Sequence, residues 1–443
     1  MPGIAIRGCG IVTMNAQRTR FARGDILIEG DRLAYVGASL AAVPEDSLVI
    51  DGSGKVAFPG FVNTHHHLYH PLLRGLFSDC DLVGWIQACV LPTTPHLSPE
   101  DLFWGTRLTL AEAVESGVTT TIDWSYCLHS REHAAAVLEA VAASGVRVCF
   151  AYGPSLLGGD FAIDLDDLDA IRSRCFAGGR EAGVVSLWAG LGGPNYQPEA
   201  RLREEVEAVR AWGLPVHLHL AEHRSQASPE ALRMLERCGI AGPELLLAHA
   251  IHLSDADLDT LARTGIKVSY NAPSNMRLAT GVCRAVEMRR RGVDVGLGLD
   301  SAAANDTNDY FTLMRTALGL QRARWLRGSC LTTDDVLEMA TVGGAKCLGL
   351  EGRIGSLEAG READVLLIEP RTLNFMPLND FEPQLVLCGQ PRNVDTVIVA
   401  GKVLKRHGEL IGIDVESTIA RCAEAARRVL ATAEIPRPAG LSP

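Results

Sequence analysis

Between residues 59 and 354 the chain repeats one grammar: a stretch with amphipathic-helix spacing, a glycine, then a short apolar run rich in β-branched residues. It recurs in VESGVTTTIDW, AASGVRVCFAYG, REAGVVSLWAG, RAWGLPVHLHLAE, ARTGIKVSYNAPS and RRRGVDVGLGLDSA. Glycine is favoured at the left-handed cap that ends a helix, and runs of this kind suit parallel strands buried on both faces. PGFVNTHHH before the series and ELLLAHAIHL within it bring the strands to eight. Eight βα units in one segment predict an α/β fold, a (β/α)8 barrel of the TIM type over 59–354. An open doubly wound sheet is the competing arrangement. The stretch 68–103, between the first strand and its helix, reads as an insertion over the barrel mouth.

The two ends have another texture. IAIRGCGIVT, GDILIEGDRLAYVG and LVIDGSGKVAFPG alternate apolar and polar residues between turn signals, and so do GSLEAGREADVLLIE and NVDTVIVAGKVLKRHGEL near the other end. They predict a small composite β-sandwich from residues 1–58 and 355–408. The remainder, 409–443, is expected to be a terminal helix and tail, because ESTIARCAEAARRVLATAEI has helical spacing.

Composition narrows the class. At 443 residues, 47% apolar and 21% charged, the chain is a folded protein too long for a single core. A formal charge of −11 argues against nucleic-acid or anionic-membrane partners, which need a basic footprint. No apolar run approaches the ~20 residues that span a bilayer. The start, MPGIAIRGCGIVTMNAQ, lacks the layout of a signal peptide. The twelve cysteines include no C-x-x-C pair and read as thiols. A cytoplasmic protein, homo-oligomeric and acting on a small molecule, is the expectation.

Barrel chemistry sits at the C-terminal ends of the strands, and there the histidines collect. Seven of the thirteen lie at three such ends: His65, His66 and His67 after strand 1, His217 and His219 on strand 5, His249 and His252 around strand 6. Strand alternation turns His65 and His67 one way and His66 the other. Glu222 follows strand 5, and Asp300 ends strand 8. A lone histidine at a strand end is ordinarily structural; several with an aspartate around one rim suggest a cation. Imidazoles with one carboxylate suit zinc or iron, with zinc ahead of iron, and a catalytic site leaves one position for water. His65, His67, His219 and Asp300 supply the ligand set for one divalent ion, which would lower the pKa of its water from 15.7 toward ~7.

FPGFVNTHHHL, HLHLAEH, LLAHAIHLS, APSNMRLATG and GLGLDSAAAND resemble the amidohydrolase superfamily, in particular its heterocycle deaminases and triazine hydrolases. The resemblance implies that those four residues are metal ligands and that Glu222, His249 and Asp300 are catalytic. Binuclear members carry a bridging lysine on strand 4; this chain has no lysine between Lys55 and Lys267, which favours a mononuclear site. The implied activity is removal of an exocyclic amine from a purine-, pterin- or triazine-like ring, with 8-oxoguanine, guanine and isoxanthopterin foremost. Asp300 would carry the water's proton, Glu222 would protonate the ring nitrogen, and His249 would steady the oxyanion. Displacement of chloride or alkylamine from a triazine, opening of a cyclic amide, and a scaffold that lost catalysis are the competing readings. Candidate substrate contacts are His70, Arg74, Trp85, Asn195, Tyr196, Asn275 and Arg277. Tyr69, Trp85, Trp124 and Tyr126 are candidate stacking rings. The chain departs from the family pattern at His70, where several relatives have glutamine, and at DSAAAND, where relatives often have DGSASND.

Overall fold

A computed structural model describes residues 3–157, 159, 161–176 and 183–436. Residues 180–182 of the fourth predicted unit and the tail 437–443 lie outside the described residues. The eight predicted strands form a closed, all-parallel barrel: β6 (Phe61–Asn63), β7 (Val118–Ser125), β8 (Arg147–Tyr152), β9 (Val184–Gly190), β10 (Val216–Leu220), β11 (Leu245–His249), β12 (Lys267–Tyr270) and β13 (Val295–Leu297). Pairing of Leu297 with Asn63 closes the ring. Every residue of β7 and of β8 is buried, as strands covered on both faces require. The glycine grammar is physical: Gly145, Gly239 and Gly265 cap their helices at φ of 75°, 76° and 76°, a region that strains other residues.

The chain ends build one continuous nine-stranded sheet. Its strands are β1 (Ile4–Val12), β2 (Arg20–Glu29), β3 (Arg32–Gly37), β4 (Leu48–Asp51), β5 (Val56–Pro59), β14 (Val365–Ile368), β15 (Val394–Val399), β16 (Lys402–Arg406) and β17 (Glu409–Leu410). The order is β17-β16-β15-β14-β5-β1-β2-β3, with β4 beside β1. Both ends of the chain meet where β5 pairs antiparallel with β14. The expected composite β-domain from both chain ends is thus present, its strands joined in one hydrogen-bonded path around its own apolar cluster, including Ile6, Ile26, Leu33, Ile50, Val365 and Ile398. The sheet also runs two residues beyond 408, through β17.

Gly60 alone separates β5 from β6, so the sheet lies directly against the barrel's N-terminal end. The insertion after β6 holds one short turn, His70–Leu73, and a continuous helical stretch over 82–96 whose winding widens at Ile86–Val90 and tightens at Thr94–His96, before the long helix Pro99–Glu115. The terminal helix Val415–Thr432 packs on that long helix; Cys422 Sγ reaches the carbonyl of Trp104 at 3.1 Å. The described cysteines are free thiols, nearly all buried. Among the described residues no helix is long and apolar enough to cross a membrane.

Candidate functional site

At the C-terminal end of the barrel the backbone brings four strand ends into register. His67 N donates to the carbonyl of Asp300 at 2.7 Å and Asp300 N to that of His65 at 2.9 Å, tying the continuations of β6 and β13 together. Ala221, His249, Ala250 and Asp300 all have positive φ, 49°, 69°, 47° and 69°. Such backbone is uncommon outside glycine and clusters where side chains are aimed for function. These bends turn Glu222, His249 and Asp300 inward over the barrel axis.

The polar cluster is compact and buried. Asp300 Oδ1 lies 3.6 Å from His65 Nε2 and 3.5 Å from His67 Nε2. His219 Nε2 is 3.3 Å from His67 Nε2. His249 Nε2 is 3.9 Å from Asp300 Oδ2, and its Nδ1 is 3.5 Å from Glu222 Oε1. Burial and neighbouring imidazoles hold His65 and His219 well below the ordinary histidine range; burial lowers His67 too and takes His249 to about 4. These rings are therefore neutral and offer lone pairs.

The surrounding hydrogen bonds fix which nitrogen offers the lone pair. His217 Nδ1 donates to the carbonyl of Leu246 at 2.8 Å, so its Nε2 accepts from His65 Nδ1, also at 2.8 Å. His65 Nε2 is left as an acceptor, buried and without a protein partner. His67 Nδ1 donates to the carbonyl of Trp124 at 2.8 Å, which likewise turns its Nε2 inward as an acceptor. An orphaned acceptor costs free energy unless something binds it, and one that faces two further imidazoles and a carboxylate fits a divalent cation. His65, His67, His219 and Asp300 have the donor chemistry to hold it, with the histidines' outer nitrogens anchored as metal-binding imidazoles usually are. His249 is different: Asn275 Nδ2 donates to its Nδ1 at 2.8 Å, which places the ring proton on Nε2 facing Asp300. It is a donor beside the cluster.

Glu222 is buried, and its carboxyl is raised well above the ordinary range, first by burial and then by the negative charge of Asp300. Two carboxylates this close do not both ionise readily, so one holds a proton. The cluster opens into a cavity of about 120 Å³ whose other walls include Trp85, Trp124, Tyr126, Phe161, Tyr196 and Leu278.

The structure thus brings His65, His67, His219, Asp300, Glu222 and His249 together. His66 turns away, with Nε2 at 2.9 Å from Asn308 Oδ1. Of the expected substrate contacts, His70, Trp85 and Tyr196 line the cavity. Arg74, Asn195, Asn275 and Arg277 do not. Arg74 pairs with Glu112 at 2.5 Å. Arg277 is held by Asp306 at 3.0 Å and by the carbonyl of Leu76 at 3.0 Å. Asn195 donates to the carbonyl of His219 at 3.1 Å, and Asn275 orients His249. These two support site residues from behind. Tyr69 is buried outside the cavity, against Cys127 Sγ at 3.1 Å, and His252 is held by the carbonyl of Thr280 at 2.7 Å. Sequence reasoning missed the anchoring role of His217 and the walls from Ile86, Leu156 and Phe161. The second H-x-H on strand 5 was a signal for His217; the irregular loops offered none.

Comparison with known proteins decides the family. Residues 56–404 match the model of the amidohydrolase family. The chain belongs to the amidohydrolase family. It is 33% identical over 441 residues to a 5-methylthioadenosine/S-adenosylhomocysteine deaminase of Pelotomaculum thermopropionicum, covering 97% of this chain and 99% of that one. Among solved structures it is similar to an adenosine deaminase from Xanthomonas campestris with bound zinc, with a TM-score of 0.88, 24% identity and coverage of 97% and 98%. A triazine hydrolase from Arthrobacter aurescens gives a TM-score of 0.87 at 23% identity, covering 96% and 100%; these two likenesses speak for the fold. As an amidohydrolase with deaminase relatives, the protein is a hydrolase acting on carbon–nitrogen bonds in cyclic amidines, and hydrolytic deamination is the reaction class.

Proposed function

We propose that the protein is a zinc-dependent aminohydrolase that removes the exocyclic amine from a purine-like or related nitrogen heterocycle. The observation that carries this is the convergence, in one buried chamber, of the Glu222 carboxyl, His249 and Asp300 with the imidazoles of His65, His67 and His219, the Nε2 of His65 being left without a protein partner. A divalent cation held by His65, His67, His219 and Asp300 would act as a Lewis acid that makes a water nucleophilic near neutral pH. Asp300 accepts the proton of the attacking water. Glu222 gives its proton to the ring nitrogen next to the amidine carbon, so that negative charge does not build up on the ring. The Nε2–H of His249 faces the new oxygen and stabilises it as the carbon becomes tetrahedral. Asp300 then returns its proton to the departing amine, ammonia leaves, and the hydroxyl proton of the adduct restores the protonated carboxyl.

Deaminase relatives named for adenosine-derived compounds move the weight of the proposal from guanine-like toward adenine-like amidines. Both have the same reacting unit, an amino carbon beside a ring nitrogen. An ammonia-release screen over adenosine, 5′-methylthioadenosine, guanine, 8-oxoguanine, isoxanthopterin and aminotriazines tests this, with metal quantified in the same preparation. At least one compound should release ammonia stoichiometrically, with about one zinc per chain. Release of none from zinc-loaded protein overturns the proposal.

A further inference from the structure

Behind the imidazole cluster lies a second polar chain. His66, between the two ligand candidates His65 and His67, is buried, and its Nε2 donates to Asn308 Oδ1 at 2.9 Å. Asn308 is also buried and sits on the loop that follows Asp300. Its Nδ2 donates to Glu112 Oε2 at 2.6 Å, which fixes the amide with Oδ1 toward the imidazole. An amide oxygen only accepts, so the ring proton of His66 is on Nε2. Ser116 Oγ, at the end of the long helix Pro99–Glu115, donates to the Asn308 carbonyl at 3.0 Å. Glu112 Oε2 also takes Arg74 Nη2 at 2.5 Å, and Arg74 ends the first turn of the insertion after β6. The chain Arg74–Glu112–Asn308–His66 therefore runs from the surface to the residue between two ligand candidates.

The backbone shows what this chain holds. His66 forms an isolated parallel bridge with Asp300, made of the two bonds that link His65 and His67 to Asp300. The carbonyl of His66 accepts from Trp124 N at 2.8 Å, and the Trp124 carbonyl in turn anchors His67 Nδ1. Three of the four ligand candidates thus stand on one junction of two segments, and His66 and Asn308 tie those segments side chain to side chain. The tie is a weak stabiliser. Each partner gives up hydrogen bonds to water for one bond to the other, and His66 Nδ1 is left buried without a protein partner. Two apolar side chains of similar shape would pack as well. They would not supply direction, because a hydrogen bond sets the distance and angle between the groups it joins and apolar contact does not.

We propose, resting on the metal-dependent aminohydrolase reading, that His66 and Asn308 are positioning residues: they hold the His65–His67 segment and Asp300 at the spacing a divalent ion requires, and Glu112 orients Asn308 for that task. Neither touches ion or substrate. Nitrogen and oxygen ligands of zinc stand about 2.0–2.2 Å from the ion in a fixed geometry, so a small slip between the two segments weakens the hold of the whole set. The effect is on affinity for the ion and on the geometry around it, and not on the fold.

The test separates direction from packing. The parent, the double variant His66→Leu/Asn308→Leu, Asn308→Ala and His66→Gln are stripped of metal, and their zinc Kd is measured by competition with a chelating dye. Urea midpoints of the metal-free forms are read in parallel. The double variant removes both polar partners, so its midpoint should match the parent's. Its zinc Kd should nevertheless rise about tenfold, the lower end of the ~10–100-fold lost with outer partners of metal ligands. Loaded with Co(II) instead, it should show d–d absorption bands displaced from the parent's. His66→Gln, whose amide N–H replaces the imidazole N–H toward Asn308, should keep the zinc Kd within about twofold. Asn308→Ala should also bind zinc about tenfold more weakly, and it decides the matter if the double variant does not fold. A zinc Kd and cobalt spectrum equal to the parent's in the deciding variant overturn the positioning role and leave the aminohydrolase intact. A parent that binds no zinc removes both.

Discussion

The two ends of the barrel each bury a dense polar cluster, and they are built on opposite principles. At the N-terminal end Arg147, the first residue of β8, bonds Asp364 and reaches Glu362 Oε2 at 2.6 Å; Arg353 takes the other oxygen of Glu362 at 2.6 Å. Asp364 also accepts from Ala400 N at 3.0 Å. Both carboxylates meet cations, and the network joins barrel to sheet. At the other end, His65 Nε2, His66 Nδ1 and His70 Nδ1 are left without protein partners, and Glu222 faces another carboxylate rather than a cation. Satisfied polar groups hold domains together. Unsatisfied ones are tolerated where a ligand completes them.

The sharpest way to break this contrast is Glu222→Gln. It should lower kcat by ~10²–10⁴-fold, the usual contribution of a general acid, while leaving the thermal midpoint unchanged or higher. A large loss of stability would mean that the cluster is structural after all. Arg147→Ala should do the reverse. Leaving Glu362 and Asp364 short of a cation should cost about 3–5 kcal/mol in urea unfolding, with kcat at low temperature within about twofold of the parent.

A pH series sharpens the comparison further. Burial raises Asp123, on β7 behind His67, to about 7. The folded state therefore holds a proton that the unfolded chain releases near pH 4, and the stability this confers is lost as pH rises through 4 to 7. Asp123→Asn should gain on the parent steadily across that window and level off above it, as read from urea midpoints. The histidines act with the opposite sign. His66 and His249 fall to about 4 through burial, so their contribution is present above 6.5 and is lost as pH falls toward 4.

Much of this was readable from the residues in order. Helix, glycine and apolar run recur because each βα unit must end its helix and bury its strand, so the strands could be placed one by one. Alternation separated His66 from His65 and His67. The mouth was not readable. Over residues 68–96 the chain makes one short turn and then a helical stretch whose winding widens at Ile86–Val90, so no single hydrophobic period runs through it. Arg277 looked like a substrate fork because its partner Asp306 lies 29 positions away, on a loop whose course the local sequence does not reveal. His217 has the spacing of a ligand, and only its bond to the Leu246 carbonyl shows it serving His65 instead.

The seam between β5 and β14 has a consequence for how the chain is made. Residues 56–59 wait for residues 365–368 before that edge is covered, so during synthesis nearly the whole barrel emerges while an apolar ribbon stands open. Loss of even the last two strands, β16 and β17, would leave that seam closed but uncover the outer edge of β15, a template for pairing with other copies.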